Sequence, residues 1–226
     1  MTIPMRFEGI ESATESVPPA RVPSLRLYAD WLKRPFDIAF VIAIMPVLLP
    51  LLMLLGLAVA LSGGRPLYSQ ARIGRNGRVF RMWKLRSMVP DADAALQRLL
   101  AEDPALRAEW AMKQKLENDP RVTRLGRFMR KTSLDELPQF FNVLMGDMSL
   151  IGPRPMMPEQ CRLYPGTDYY RLRPGISGAW QVGGRNDTSF AERARFDGAY
   201  RDNLTFATDV VLIAATLRVV LRGTGR

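Results

Sequence analysis

The chain has 226 residues and a mass of 25.5 kDa, room for one domain and a short appendage but not for two full domains. It is 47% hydrophobic and 24% charged, as a folded protein is, and 32 basic against 22 acidic residues leave a formal charge of +10. No histidine and a single cysteine, Cys161, exclude imidazole bases, His- or Cys-built zinc sites and an internal disulfide. Chemistry must then rest on carboxylates, Lys, Arg, hydroxyls or a hard metal held by oxygen.

Residues 1–24 carry Pro4, Pro18, Pro19 and Pro23 among Ser, Thr and Glu, and read as a flexible tail. Residues 25–64 contain 24 uncharged residues from Ile38 to Leu61. As one helix they reach roughly 36 Å, beyond the ~30 Å apolar core of a bilayer. The run is too long for the core of a signal peptide, and no small-residue cleavage site follows it closely. A membrane-embedded segment is expected. Pro46 and Pro50 lie inside it, and both flanks are basic: Arg26, Lys33 and Arg34 before, Arg65 after. A re-entrant hairpin that enters to mid-depth and returns to the cytoplasmic face satisfies both observations; a full span is the alternative.

Residues 65–226 are the expected cytoplasmic domain. No acid occurs between Asp37 and Asp91, and seven cations from Arg65 to Arg86 stand unopposed. Asn76-Gly77 marks a hairpin turn within Arg72–Met88. Helical spacing predicts one helix over Ala92–Lys115, a second from Pro120 through Met129 and a third over Leu134–Leu144. Gly152–Pro158 reads as irregular, Pro174–Gly184 as a glycine-rich loop, and Asp209–Leu221 as an apolar helix suited to an interface. The fold class is α/β, mostly helical.

The string KTSLDELPQFFNVLMGDMSLIGPRP, Lys131 to Pro155, places Asp135 and Glu136 together near a helix start, with Thr132 or Ser133 available as a cap. Ordinary first-turn acids are the plain structural reading. Adjacent helical positions diverge by about 100°, so two separate roles fit better than one shared proton. The upstream cations Arg121, Arg124, Arg127, Arg130 and Lys131 should hold Asp135 ionised and draw in a polyanion such as a nucleotide diphosphate.

Taken in order, KRPFD (Lys33–Asp37), the proline-bearing apolar segment, KLRSM (Lys84–Met88), SLDELPQ (Ser133–Gln139), GDMSLIGPRP (Gly146–Pro155) and RPGISGAWQVGGRN (Arg173–Asn186) resemble the bacterial sugar transferase family. These are monotopic polyprenyl-phosphate phosphoglycosyl transferases, and the chain is similar to the short type that primes exopolysaccharide synthesis, without the N-terminal membrane bundle of larger members. The resemblance implies a monotopic membrane protein of the bacterial inner membrane. Its re-entrant helix would carry a small cytoplasmic catalytic domain with interfacial amphipathic helices. It further implies transfer of a hexose-1-phosphate from a UDP-sugar to undecaprenyl phosphate, releasing UMP, with Mg²⁺ or Mn²⁺ held at Asp135 and Glu136. Asp135 matches the attacking aspartate and Glu136 the second acid of the pair. Galactose or glucose is the expected sugar. A homodimer is also in view, and nucleic acid is not an expected partner.

Other matches each have a plainer reading. Lys84 and Arg86 suit substrate phosphate or lipid headgroups, while Arg130 suits a phosphate clamp and Arg121 and Arg124 the surface. Pro153, Arg154 and Pro155 suit a stiffened nucleotide loop or a simple turn. Arg185 follows Gly183 and Gly184, where a diphosphate could approach the backbone. Asp197 matches a family acid or forms a surface salt bridge. Lys33 and Arg34 suit anionic lipid heads with Asp37 pairing locally, Asp147 reads as structural, and Trp83, Trp110 and Trp180 as anchors. Met45-Pro46 stands where many members have Ser-Pro. A basic membrane adaptor without enzymatic activity explains the cations but not the DE, PRP and GGRN strings together.

Overall fold

In the computed structural model, which describes residues 27–113, 116, 119–183 and 189–221, the apolar run forms helix α1, Lys33–Leu61. The tail expected over residues 1–24 lies outside the described residues. A π-helical turn, Tyr28–Leu32, leads directly into α1, and Tyr28–Leu61 is long and apolar enough to cross a membrane, with an 18-residue stretch of mean hydropathy 2.9. The helix is continuous through Pro46 and Pro50, where a break was expected. Four residues apart, the prolines load one face of the helix and leave the hydrogen bonds of the other face intact. That other face holds α1's buried residues Asp37, Val41, Leu48, Leu55 and Val59, while both prolines are exposed.

Strands β1 (Leu67–Ile73) and β2 (Val79–Leu85) form an antiparallel hairpin, with Ile73 opposite Val79. The expected turn is present, and Asn76 takes a left-handed φ of 59° ahead of Gly77 at 76°. The helix expected over Ala92–Lys115 is two, α2 (Ala92–Glu102) and α3 (Pro104–Lys113). Pro104 keeps Asp103 extended, and Asp103 Oδ1 then caps α3 by accepting from the backbone N–H of Ala105 at 2.8 Å.

Helix α4 (Arg124–Lys131) starts later than expected, because Val122 first bridges to Met88. The expected Leu134–Leu144 helix is a single 3-10 turn, Leu134–Glu136, followed past Pro138 by α5 (Gln139–Met145). Next come β3 (Ser149–Ile151), α6 (Asp168–Arg171) and β4 (Gly175–Ser177), with β3 and β4 parallel. The glycine-rich loop expected over Pro174–Gly184 is largely β4 and α7 (Ala179–Gly183). Its glycines serve packing: a Cβ on Gly175 or Gly178 would overlap the Gly152 backbone. Helices α8 (Arg193–Asp202) and α9 (Phe206–Leu221) complete the described residues.

The main core joins Val41 of α1 to Phe80 and Met82 of β2, Val143 of α5, Leu150 and Ile151 of β3, Tyr200 of α8 and Leu212 of α9. A second cluster packs Leu55 and Val59, at the far end of α1, on Leu85 and Met129. Both ends of α1 therefore rest on the same α/β body. Its outer face leaves Val47, Met53, Leu54 and Leu57 more than half exposed. Phe128 on α4 and Phe206 on α9 are also more than half exposed.

At its root α1 is held by polar contacts. Lys33 Nζ lies 3.2 Å from Asp37 Oδ1 and 2.8 Å from Asp209 Oδ2, and Asp209 also accepts from Tyr28 and Tyr200. Asp37 accepts from Ser149 Oγ at 2.7 Å. Arg34 donates to the carbonyls of Val143 and Leu144 at the end of α5. Lys33 and Arg34, expected at lipid heads, are thus engaged inside the protein.

Candidate active site

Thr123 caps α4 by accepting from the Gly126 N–H at 2.9 Å, which fixes the phase of the helix: Met129 enters the core and Arg130 turns toward β2. Ser133 then adopts a left-handed φ of 57° and reverses the chain into the 3-10 turn. Leu134 and Leu137, on either side of the acids, pack against the far half of α1. Asp135 is pulled in with them to 7% exposure, while the Glu136 side chain keeps 27%. No side chain among the described residues caps this turn; Thr132 Oγ1 instead donates back to the Phe128 carbonyl.

Lys84 of β2 faces both acids. Its Nζ is 2.7 Å from Glu136 Oε1 and 3.9 Å from Asp135 Oδ2. Arg130 Nε donates to Ser87 Oγ at 2.8 Å. Burial is the largest influence on the Asp135 carboxyl and raises it above the ordinary carboxylate range. The positive charge of Lys84 opposes the rise, Glu136 adds to it, and Arg130 opposes it. The cation field expected to hold Asp135 ionised is therefore smaller than the burial it faces. Arg124 and Arg127 are exposed. Arg121 is not the surface cation expected; it is buried, paired with Asp119 at 2.6 Å and placed over the Trp110 ring.

Arg86 occupies another place. It donates to the Val59 carbonyl at 3.1 Å and to the Gly63 carbonyl, closing the C-terminal end of α1 against the helix dipole. Pro153 and Pro155 use their carbonyls structurally, accepting from the Gly175 N–H at 2.8 Å and from Arg72 at 3.3 Å. Arg185 lies outside the described residues.

Arg154 and Asp197 belong to a second group, centred on Trp180. The Arg193 guanidinium lies 4.0 Å from the Trp180 ring centroid and 4.5 Å from that of Phe190, and Arg154 lies 5.8 Å from Trp180. Asp197 is buried rather than in a surface salt bridge, and accepts from Tyr164 OH at 2.8 Å. Burial pushes its carboxyl up to about 7, against the Tyr164 hydrogen bond and the Arg193 charge. Burial, and then the like charge of Arg154, brings Arg193 down to about 10. The cavity inside this group is only about 10 Å³, room for about one water.

Arg72 joins the two groups electrostatically. Burial lowers it most, Arg154 lowers it further and Glu136 raises it. The Nε atoms of Arg72 and Arg193 are both buried without a hydrogen-bond partner among the described residues. Neither residue stands out in the sequence as a site. Arg72 is one cation in a run of seven, and only the i, i+4 spacing of Arg193 and Asp197 hints at their association.

Asp135 and Glu136 are a pair of oxygen donors, and among the described residues no group of three or more potential metal ligands occurs. The acid pair and its lysine thus lie beside a helix apolar enough to cross a membrane, in a mostly helical α/β domain. The chain belongs to the bacterial sugar transferase family, whose model matches residues 28–223. It is 48% identical over 197 residues to an undecaprenyl-phosphate galactose phosphotransferase of Salmonella typhimurium, covering 86% of this chain and 41% of that one. A UDP-galactose-lipid carrier transferase of Erwinia amylovora is 47% identical over the same shares. The chain thus spans about two-fifths of the length of these relatives. The exopolysaccharide production protein ExoY of Rhizobium meliloti is 38% identical over 224 residues, 96% of this chain and 99% of that one.

Proposed function

We propose that this chain transfers a hexose-1-phosphate, with galactose favoured by the names of its relatives, from a UDP-sugar to undecaprenyl phosphate. An ionised Asp135 oxygen attacks the β-phosphorus. The new Asp135 O–P bond forms as the bond to the α-phosphate oxygen breaks, and UMP leaves with that oxygen. An oxygen of undecaprenyl phosphate then attacks the same phosphorus, the Asp135 O–P bond breaks, and the carboxylate is restored. No proton is removed from the nucleophile at either step, so a chain without histidine can run both. A carboxylate raised by burial is also more basic, hence more nucleophilic, once ionised.

Lys84 holds Glu136 and places positive charge beside Asp135, where phosphoryl oxygens gain negative charge. Two carboxylates suit Mg²⁺, which takes one or two protein oxygens and fills its shell with phosphate and water. When bound at Asp135 and Glu136, Mg²⁺ or Mn²⁺ would neutralise the diphosphate. Arg154, beside Trp180, and Arg72, which the Arg154 charge lowers, would receive the nucleotide phosphates, with Arg185 as a further candidate.

The active site would lie on the cytoplasmic face of the inner membrane. Support for a re-entrant α1 comes from its two ends, which pack on one body through Val41 and through Leu55 and Val59. Pro46 and Pro50 lie on the face away from that body, which would be the convex side of a bend returning the helix to the surface it left.

The observation that carries the proposal is the buried Asp135 flanked by Lys84 and Glu136. Detergent-solubilised protein with Mg²⁺, undecaprenyl phosphate and a panel of UDP-hexoses should release UMP. Radiolabelled donor should leave label on Asp135 when the lipid is withheld. Product formation with no adduct at Asp135 would refute the two-step route, and no UMP from any donor would refute the transferase.

A further inference from the structure

A cavity of about 150 Å³ opens at the root of α1, at the end of the helix opposite the Leu55 and Val59 cluster beside the acid pair. Its volume would hold on the order of ten waters. Five cations line it: Lys33, Arg75, Arg171, Arg173 and Arg201. Two of them are already neutralised, Lys33 by Asp37 and Asp209 and Arg201 by Asp168 and Asp202.

The other three lack such pairing. Among the described residues no acidic oxygen lies within 4.0 Å of Arg75, Arg171 or Arg173. Arg173 Nε donates to the Gly146 carbonyl at 3.0 Å, which holds the guanidinium in place without cancelling its charge. Burial lowers Arg173 most, the like charges of Arg34 and Arg75 lower it further, and Asp37 opposes them.

The surroundings specify the anion. Leu27, Trp31 and Leu32, beside the lining residues Ala29, Asp30 and Lys33, are 61%, 69% and 50% exposed. An exposed tryptophan at the start of an apolar helix belongs at the headgroup level of a membrane. Asp30, also in the lining, offers acceptor oxygens to a hydroxylated headgroup.

We infer that this cavity is a binding site for the phosphodiester headgroup of an anionic lipid of the phosphatidylglycerol type, separate from the substrate lipid at Asp135. Arg75, Arg171 and Arg173 take the phosphate, and Trp31 and Leu32 lie along the acyl chains. The inference rests on α1 being a membrane helix and is independent of which reaction Asp135 performs.

Calorimetric titration of the full chain in neutral detergent tests it, with dihexanoyl phosphatidylglycerol, dihexanoyl phosphatidylcholine and inorganic phosphate as probes. Phosphatidylglycerol should bind at least tenfold more tightly than either of the others. Arg75→Gln with Arg171→Gln should abolish that preference, whereas Arg98→Gln with Arg195→Gln, two exposed cations elsewhere, should change it less than twofold. Equal binding of the two lipids by the wild type would overturn the site whatever the variants do. Equal loss in both double variants would reduce it to diffuse surface charge, and phosphate binding as tightly as phosphatidylglycerol would overturn the lipid assignment. Sedimentation with phosphatidylcholine vesicles and UMP release, measured separately, report the membrane helix and the transferase.

Discussion

Lys84 is hydrogen-bonded to Glu136 at 2.7 Å and stands off from Asp135 at 3.9 Å. The ammonium thus acts on the two acids differently: it binds one and exerts only its field on the other. An attacking oxygen needs its lone pair, and this arrangement leaves the Asp135 carboxylate polarised without a hydrogen bond from the lysine. Lys84→Met removes the charge that lowers Asp135, so the acid limb of the kcat/KM profile should move to higher pH, with a loss of about 10²–10³ in kcat at neutral pH. An unmoved acid limb would show that Asp135 does not carry the titration.

Asp135→Asn should lower UMP release by more than about 10³-fold and leave no labelled adduct. Because burial disfavours the ionised carboxyl, the amide removes a cost to the fold at neutral pH. Its melting temperature at pH 8 should match or exceed that of the wild type. Retention of a few per cent of activity would remove Asp135 as the nucleophile.

Asp197 makes a different prediction. Its folded value of about 7 lies above that of an unfolded aspartate, so its contribution to stability is fully present below about pH 4 and lost as pH rises through about 7. Asp197→Asn should remove this loss and flatten thermal stability between pH 5 and pH 8, by on the order of 1–4 kcal/mol at the alkaline end. Identical pH profiles for variant and wild type would contradict the burial of its charge.

Gly126 sits where α4 crosses the end of the hairpin, and a Cβ there would overlap the Ser87 carbonyl. Gly126→Ala must push α4 away from β2, separating Arg130 from Ser87. A destabilisation of about 1–3 kcal/mol with a fall in activity is expected in chemical denaturation and UMP release. An ordinary alanine effect, within about 0.5 kcal/mol, would show that the contact is loose.

The topology of α1 can be read with thiol labels. In a Cys161→Ser background, Leu27→Cys and Arg65→Cys should both react with an impermeant reagent added to inside-out vesicles and stay silent in right-side-out ones. Opposite-side reactivity would establish a full span.

Local chemistry carries the parts of this fold that are legible in sequence. Asn76-Gly77 announces the hairpin, because few other pairs accept the left-handed turn, and the apolar run announces α1. The split at Asp103-Pro104 is masked by helical spacing that continues on either side of it. The site divides in the same way. Adjacent acids are visible in the string, but Ser133's reversed backbone, which aims them at Lys84, leaves no periodic trace. Tertiary packing brings Arg154 to Arg193 and Asp197 of α8, and so only the family motif pointed to Arg154 and Asp197 as site residues.

Asp209 meets Tyr28 across 181 positions of chain. During synthesis the start of α1 leaves the ribosome about 10–35 s before its partner on α9 at ordinary elongation rates. Over that interval Lys33 has only Asp37 to neutralise it. The base of α1 is therefore completed only once residue 209 has been made, and a nascent chain stalled short of it leaves Tyr28 and Lys33 without their partner on α9.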